Sequence, residues 1–542
     1  MSEEATLKAK SCSIFNDVLG PLMRGPSSSH SAAPYAIALT CKQLSLSNNE
    51  ILCDAVVRFD PDGSFAHVHI DQGSDEGFAA GFMGIDHRSS AYLDGLRILE
   101  SPNPPFRFRT EVASLAPDGH PNLVEIRLTC KEGSVERTDR YLAVSTGGGA
   151  FQIIECNSSP VEIDGQAFSL VVECTEASTS HEILGCLRAW DILVDSGEDL
   201  DGAKKLWAFR TLRNLSVNER AQLSLLDSIV RVREAAPTSL PTTGEKPLFS
   251  SGEDVLSLCR LYTLPEIAVQ YESRILGVDV HSVDTMFEEL ARSLITKVEE
   301  GLAQRSEEVG FKILRPTAFK IFNSRSAGKL IGEPLHHAIS GALAVMETSA
   351  MHGLVVACPT GGSAGILPGC LYSLKQTGHT MESIVEALKT AGVIGAIIGI
   401  RGTFAAELSG CAVETGAAAA MAAAGMAHAA EAPPVTVFHA ASLCLMNTIG
   451  LVCDPIGGTV EVPCHGRNLA GVGHAFVASG AAIGGFDSFI PFDEAVDAVV
   501  KVGKCLPSSL RCTSKGGLAA TPTAALQRKT FVGLNESHSK AE

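Results

Sequence analysis

Near residue 253 the hydrophobic pattern of this 542-residue chain changes period, and no other feature constrains the fold as strongly. Before that point apolar residues come in short runs. Residues 55–59 and 66–70 predict two strands around the Asp60-Pro61-Asp62-Gly63 turn, and 123–129, 141–144 and 168–173 predict three more. After it, 254–273, 282–300 and 381–391 repeat apolar residues at helical spacing. Residues 415–430 (TGAAAAMAAAGMAHAA) predict a helix of very small side chains. Such a face lets helices approach closely, as around a buried cofactor; the high helix propensity of Ala alone produces the same pattern. The expectation is an α+β N-terminal domain (1–178), a helical and Pro/Thr-rich linker (179–252) and a mostly all-α domain (253–542). Within the linker, 235–247 (AAPTSLPTTGEKP) reads as a flexible connection by composition or as an ordered surface loop.

Charge narrows the function classes. Lys and Arg number 43 against 61 Asp and Glu, a net charge of −18, which argues against a nucleic-acid partner. With 45% hydrophobic residues, 19% charged residues and 51 glycines, the chain has the profile of a compact enzyme rather than of a disordered or fibrous protein. The first residues, MSEEATLKAKSCSIF, lack the apolar core of a secretory signal and carry Glu3 and Glu4. The most apolar run, 391–400, is short of the roughly 20 residues a membrane span needs. A cytoplasmic protein with a small-molecule substrate and no membrane contact is expected.

Sixteen cysteines are scattered without a short regular framework, which reads as reduced thiols with a subset free to ligate metal. Three have unusual neighbours: Cys411 in ELSGCAVETG, Cys453 in GLVCDPIGG and Cys464 in VEVPCHGRN. Gly and Pro put each on a turn or helix end, where a sulfur can point into a cleft. The spacing matches neither the paired cysteines of structural zinc nor the close runs of ferredoxins. By spacing alone they read equally well as small buried hydrophobes.

The flanking residues carry a resemblance. GPSSSH at 25–30, PTGGSAGILPG at 359–369, SGCAVETG at 409–416 followed by MAAAGMA at 421–427, GLVCDPIGGTVEVPCHGRN at 450–468 and TSKGGLAATPT at 513–523 occur in this order. Together they resemble the iron–sulfur-dependent L-serine dehydratases (L-serine ammonia-lyases) over nearly the whole chain. The resemblance implies a [4Fe–4S] cluster on Cys411, Cys453 and Cys464, with one iron lacking a protein thiolate in the working state. That iron acts as a Lewis acid toward a β-hydroxyl while a base removes the Cα proton, giving an enamine and then a 2-oxo acid and ammonia. It also implies a homodimer with the active site at the junction of its domains.

Ser27, Ser28, Ser29 and His30 precede an apolar helical run. They read as helix caps, or as an anion-binding helix start; the resemblance implies a substrate-binding loop, with His30 a catalytic candidate. Thr360, Gly361, Gly362 and Ser363 resemble a second substrate-binding segment, and 145–149 (STGGG) matches a further family motif. Lys515 is a second catalytic candidate, or a cluster or carboxylate contact. Arg325 and Arg467 could each grip a carboxylate or lie at the surface. His67, His69, His336, His337 and His465 read as candidate bases or as ordinary structural histidines.

The chain also departs from the family. Where the family carries a GH-x-[TS]-D pattern after its first hairpin, residues 71–75 read Asp-Gln-Gly-Ser-Asp, so Gln72 replaces a His. Asn447-Thr448 replaces a His-Asn pair, Gly361 an Asn and Ala412 a Gln, and the tail ending SHSKAE has no cysteine. Three readings follow: a different β-substituted acid as substrate, a base supplied elsewhere (His30 or His69), or a non-catalytic ligand-binding relative.

Overall fold

The computed structural model describes residues 11–47, 49–115, 119–176, 179–195, 205–303 and 311–527. The N-terminal stretch through Lys10 and the SHSKAE tail lie outside the described residues. The architecture is the expected one, an N-terminal region of sheets and helices followed by a mostly helical region.

Twelve strands are described: β1 (Leu22–Arg24), β2 (Ile51–Phe59), β3 (Arg107–Val112), β4 (Leu123–Glu132), β5 (Val135–Gly147), β6 (Ala150–Cys156), β7 (Ser159–Ile163), β8 (Phe168–Cys174), β9 (Leu193–Asp195), β10 (Leu206–Thr211), β11 (Ile229–Ala235) and β12 (Leu354–Val356). A six-stranded sheet runs β3-β2-β4-β5-β6-β7, antiparallel except for the β2–β3 pair. Its period-2 pattern sends Val124, Ile126, Leu128 and Cys130 of β4 into one core with Ala55, Val57 and Phe59, covered by the helix Ala33–Ser45. On the opposite face Glu125 receives Arg58 and Arg140.

One expectation needs correction here. Residues 66–70 form no strand: Phe65–Val68 is a helical turn. Phe65 and Val68, three apart, share a buried face, and Phe65 stacks on Phe59 with ring centroids 5.3 Å apart. The strand reading took an alternation of His and apolar residues for period 2. Residues 254–273 form two helices, Gly252–Leu258 and Leu264–Leu276. Thr263 and Glu266 make a reciprocal capping box, with Pro265 in the first turn, so a new helix starts there.

The stretch 179–252 is more than a connection. Strands β9, β10 and β11 pair into a sheet of order β11-β8-β10-β9, so β8 belongs with them across residue 178. With the helices Thr179–Ala189 and Val217–Leu223 this is the β-α-β-β-α-β order of a ferredoxin-like unit. The Pro- and Thr-rich segment is an ordered strap. Thr242 N–H donates to Gln166 O at 2.8 Å, Thr243 N–H to Ile275 O at 2.8 Å, and Leu240 N–H to Asn16 Oδ1 at 3.0 Å.

In the helical region Thr415–Ala429 is buried on every side and packs against Met381–Arg401, Pro434–Thr448 and Cys464–Ile483. Close approach is real: a Cβ on Gly416 would lie 2.4 Å from Thr448 Oγ1. Met381–Arg401 is long and apolar enough to cross a membrane, but 78% of its most apolar window is buried inside the protein, where it serves as a core helix. The chain's beginning joins this half. Ile14, Phe15, Val18, Leu19 and Met23 pack in the helical core, and β1 pairs with β12. That pairing brings the loop after β1, residues 25–30, against the loop after β12, residues 359–363.

Candidate active site

Cys411, Cys453 and Cys464 converge because three local structures aim them at one place. Cys411 opens a single 3-10 turn after Gly410, whose φ of +72° and closeness to Leu451 O (2.5 Å from an added Cβ) both call for glycine. Cys453 lies on a short bridge to the segment 510–512: its N–H donates to Leu510 O at 2.8 Å, and its carbonyl accepts from Cys512 N–H at 2.9 Å. Cys464 is the first residue of the helix Cys464–Ile483, where the free N–H groups and the helix dipole favour a thiolate.

A sulfur of Cys411, a carboxylate oxygen of Glu414 and the sulfur of Cys453 lie within 4.8 Å of one another and form a candidate metal site. Cys411 Sγ stands 3.6 Å from Glu414 Oε2. Arg467, one turn beyond Cys464, donates through Nη1 to Cys411 Sγ at 3.3 Å and through Nη2 to Asp454 Oδ1 at 2.6 Å. The hydrogen bond from Cys453, then the Arg467 charge, bring the Cys411 thiol down to about 7 despite its burial. Donating that bond pushes the Cys453 thiol up. Burial, then the negative Cys411 and Glu414, push up Cys464; burial, then Cys411 and Glu407, push up Glu414. One guanidinium therefore faces more acidic groups than it can balance, and the set ionises together only beside a further positive group. Soft sulfur donors around a cation fit an iron–sulfur core.

The two loops pack on each other, and the second one reaches Glu414. Gly361 N–H donates to Ser28 Oγ at 3.1 Å, and a Cβ on Gly361 would lie 2.8 Å from Ser28 N. An Asn at 361 would displace the serine loop, which is the physical sense of that departure. Thr360 Oγ1 is 3.0 Å from Ser363 Oγ, and Thr360 hydrogen-bonds Glu414. Gly362 faces the Glu414 carboxylate, 3.6 Å from an added Cβ. Asn468, in the PCHGRN motif, fixes this loop by donating to Gly362 O at 2.8 Å.

His30 is fully buried. Ser27 Oγ lies 3.4 Å from its Nδ1, and Glu407 Oε1 lies 3.5 Å from the same atom. Ser64 Oγ is 3.1 Å from Nε2 and donates its own proton to Cys512 O at 2.7 Å. Nε2 is therefore the donor toward Ser64, which leaves Nδ1 a lone pair facing Glu407. Burial, and secondarily His69, lowers the His30 pKa to about 3; burial raises that of Glu407, with Ser29 and Asn122 beside it favouring the charged form. Both shifts favour the uncharged forms.

Other sequence candidates lie elsewhere. Lys515 and Arg325 are exposed. His69 Nδ1 pairs with Asp75 at 2.8 Å, and His67 is half-buried on the Phe65–Val68 turn. His336 donates to Ile321 O at 2.7 Å, His337 lies edge-on to Phe322, and His465 lies edge-on to Phe311, its pKa lowered by burial to about 4. Asn447 is exposed and bonds its own helix at Leu443 O, and Thr448 does likewise at Cys444 O. Ala412 is buried in the helical core. Gln72 is at the site: Nε2 donates to Gly458 O at 2.8 Å and reaches Cys512 Sγ at 3.9 Å.

Sequence reasoning passed over Glu407, Glu414, Asp454, Ser64 and Cys512. The first three had a signal, carboxyls inside the cysteine motifs themselves. Ser64 and Cys512 had none, because they are 448 residues apart and meet only through the fold.

Residues 204–519 match the family described as serine dehydratase alpha chain, more than half of the sequence and all the cysteines above. The chain belongs to that family. A probable L-serine dehydratase alpha chain of Bacillus subtilis is 41% identical over 211 residues, 39% of this chain and 70% of the relative. The L-serine dehydratase alpha chain of Peptoniphilus asaccharolyticus is 31% identical over 294 residues, 53% of this chain and 99% of the relative. The L-serine dehydratase of Haemophilus influenzae is 30% identical over 278 residues, 50% of this chain and 61% of the relative. This serine dehydratase family member is accordingly an L-serine ammonia-lyase-like enzyme. The family match starts at residue 204, so the GPSSSH loop enters the site by geometry and stands outside that match.

Proposed function

We propose that this enzyme binds one [4Fe–4S] cluster on Cys411, Cys453 and Cys464 and converts L-serine to pyruvate and ammonia. The observation that supports it most is the grouping of the buried Cys411 and Cys453 and the half-buried Cys464 with Arg467 and Glu414, beside the loop 360–363 that packs on residues 27–30. When bound, the cluster supplies Lewis acidity toward the substrate's β-hydroxyl. The chain's own residues do the rest. Ser27–His30 and Thr360–Ser363 form short helix starts whose N–H groups suit a carboxylate, and the surrounding burial excludes water. His30 Nδ1 keeps a lone pair beside Glu407, and this pair is our candidate for moving the Cα proton and returning one to the leaving hydroxide. Loss of water leaves an enamine that tautomerises and hydrolyses. Residues 253–542 act as the catalytic domain, and residues 1–178 cover it in a cytoplasmic homodimer. Lys515, being exposed, is assigned no part in the proton transfer.

A second reading rests on Gln72, which has no basic nitrogen where the family keeps a His: the substrate is then another β-hydroxy or β-thiol amino acid. Anaerobic reconstitution with iron and sulfide, followed by a substrate panel read as ammonia, sulfide and 2-oxo acid, separates the two. Equal amounts of pyruvate and ammonia from L-serine, with an EPR change on serine addition, are expected. Normal cluster loading in Cys411→Ala, Cys453→Ala and Cys464→Ala, or a loaded enzyme that turns over no amino acid, would sink the proposal.

A further inference from the structure

A fourth sulfur stands at the same spot. Cys512 is 6% exposed, within a small apolar patch shared with Cys411, Cys453 and Ala406. Its side chain hydrogen-bonds that of Cys453 and is close enough to act electrostatically on Glu414 and Cys464. Its position is fixed from three directions. Its N–H is tied to Cys453 O at 2.9 Å, its carbonyl accepts from Ser64 at 2.7 Å, and Gln72 Nε2 reaches the sulfur at 3.9 Å. Its backbone takes a left-handed φ of 58°, which a non-glycine residue adopts only under local constraint. By contrast Cys505, seven residues earlier, is exposed and outside the patch.

Four cysteine thiolates are the usual complete ligand set of a [4Fe–4S] cluster. We infer that Cys512 supplies the fourth sulfur, closing in the resting enzyme the corner that Cys411, Cys453 and Cys464 leave open. This rests on the cluster reading above. Binding is a ligand exchange without change of oxidation state: the Cys512 thiol gives its proton to solvent as its sulfur joins iron. Substrate oxygen then displaces that sulfur, which takes the proton back. Gln72, donating to the sulfur rather than acting as a base, suits a position beside a displaced thiolate.

The test compares anaerobically reconstituted wild type with Cys512→Ala and the closer-shaped Cys512→Ser. Iron and sulfide content is measured first. Ferricyanide oxidation is then followed by EPR for the three-iron signal left when a cluster loses an iron that no thiolate holds. Both variants are expected to load fully and to form that signal about 10-fold faster than wild type, because only wild type holds every corner with sulfur. Equal rates in all three proteins would overturn the inference while leaving the three-cysteine cluster intact. Absence of a cluster in wild type itself would overturn the underlying reading, and this one with it. If Cys512→Ala fails to fold, Cys512→Ser, which keeps the shape, gives the same comparison.

Discussion

Two groups of cysteines in this protein are equally buried and differ in everything else. Cys358, Cys370 and Cys444 sit among apolar side chains of the helical core, where burial alone pushes the first two thiols up to about 12. Cys411, Cys453 and Cys512 are buried to a similar degree, but they pack with the buried Asp454 and Gln72 and with the half-buried Arg467 and Glu414. Burying charged and polar groups is costly unless they are paired. Burial and residue type therefore do not mark a metal site; the costly polar company does. The core thiols behave as small hydrophobes.

The sharpest way to break this comparison is to exchange the groups' fates. Cys411→Ser, Cys453→Ser or Cys464→Ser should remove iron and visible absorbance, with activity falling more than ~100-fold, beyond what loss of a metal's outer-shell partner usually costs. Cys370→Ala should keep iron and activity and lower stability by about 1–2 kcal/mol in urea titration. Iron lost from the Cys370 variant would erase the distinction. Removing the polar company comes next. Arg467→Met leaves Asp454 buried without its partner and Cys411 without its counter-charge, and should destabilise the fold by about 3 kcal/mol while weakening iron retention. Unchanged iron affinity there would show that the guanidinium is structural only. Gln72→Ala deprives Gly458 O and the Cys512 sulfur of a donor, for a smaller loss of about 1–2 kcal/mol in the same titration.

The comparison also explains what the sequence could reveal. The switch to helical period, the Ala-rich core helix and strands such as β4 were legible because local periodicity fixes which face is buried. The Phe65–Val68 turn was misread because His67 and His69 alternate with apolar residues as a strand would. The ferredoxin-like unit was taken for a connection because β9 and β10 flank a polar stretch and β8 pairs with β10 and β11 rather than with the next strand in the chain. At the site, the cysteines were visible through their Gly- and Pro-rich neighbours. Gly361 and Asn447 looked alike as departures from the family, yet one packs against the serine loop and the other faces outward on its helix. Ser64 touching the Cys512 carbonyl is information of the third dimension alone.

His30 applies the same contrast to a titrating group and gives the mildest test. In the unfolded chain its imidazole has a pKa near 6.5, and in the fold burial and the neighbouring His69 hold it at about 3. Between these values the unfolded chain binds a proton that the folded chain refuses. The stability tied to a neutral His30 is thus fully present above about 6.5 and is lost as pH falls toward 3, by about 1.4 kcal/mol per unit while the difference is complete. His30→Gln keeps a hydrogen-bonding side chain for Ser64 and has nothing to titrate. Urea midpoints of wild type and variant, taken from pH 7.5 to 5, should diverge only below about 6.5, with the wild type falling faster. Parallel curves would mean that the Glu407 carboxyl gives up its proton as His30 gains one, keeping an ion pair in the fold. That would replace the neutral His30–Glu407 pair with a charged one and make Glu407, rather than the imidazole, the group ready to accept the substrate's proton.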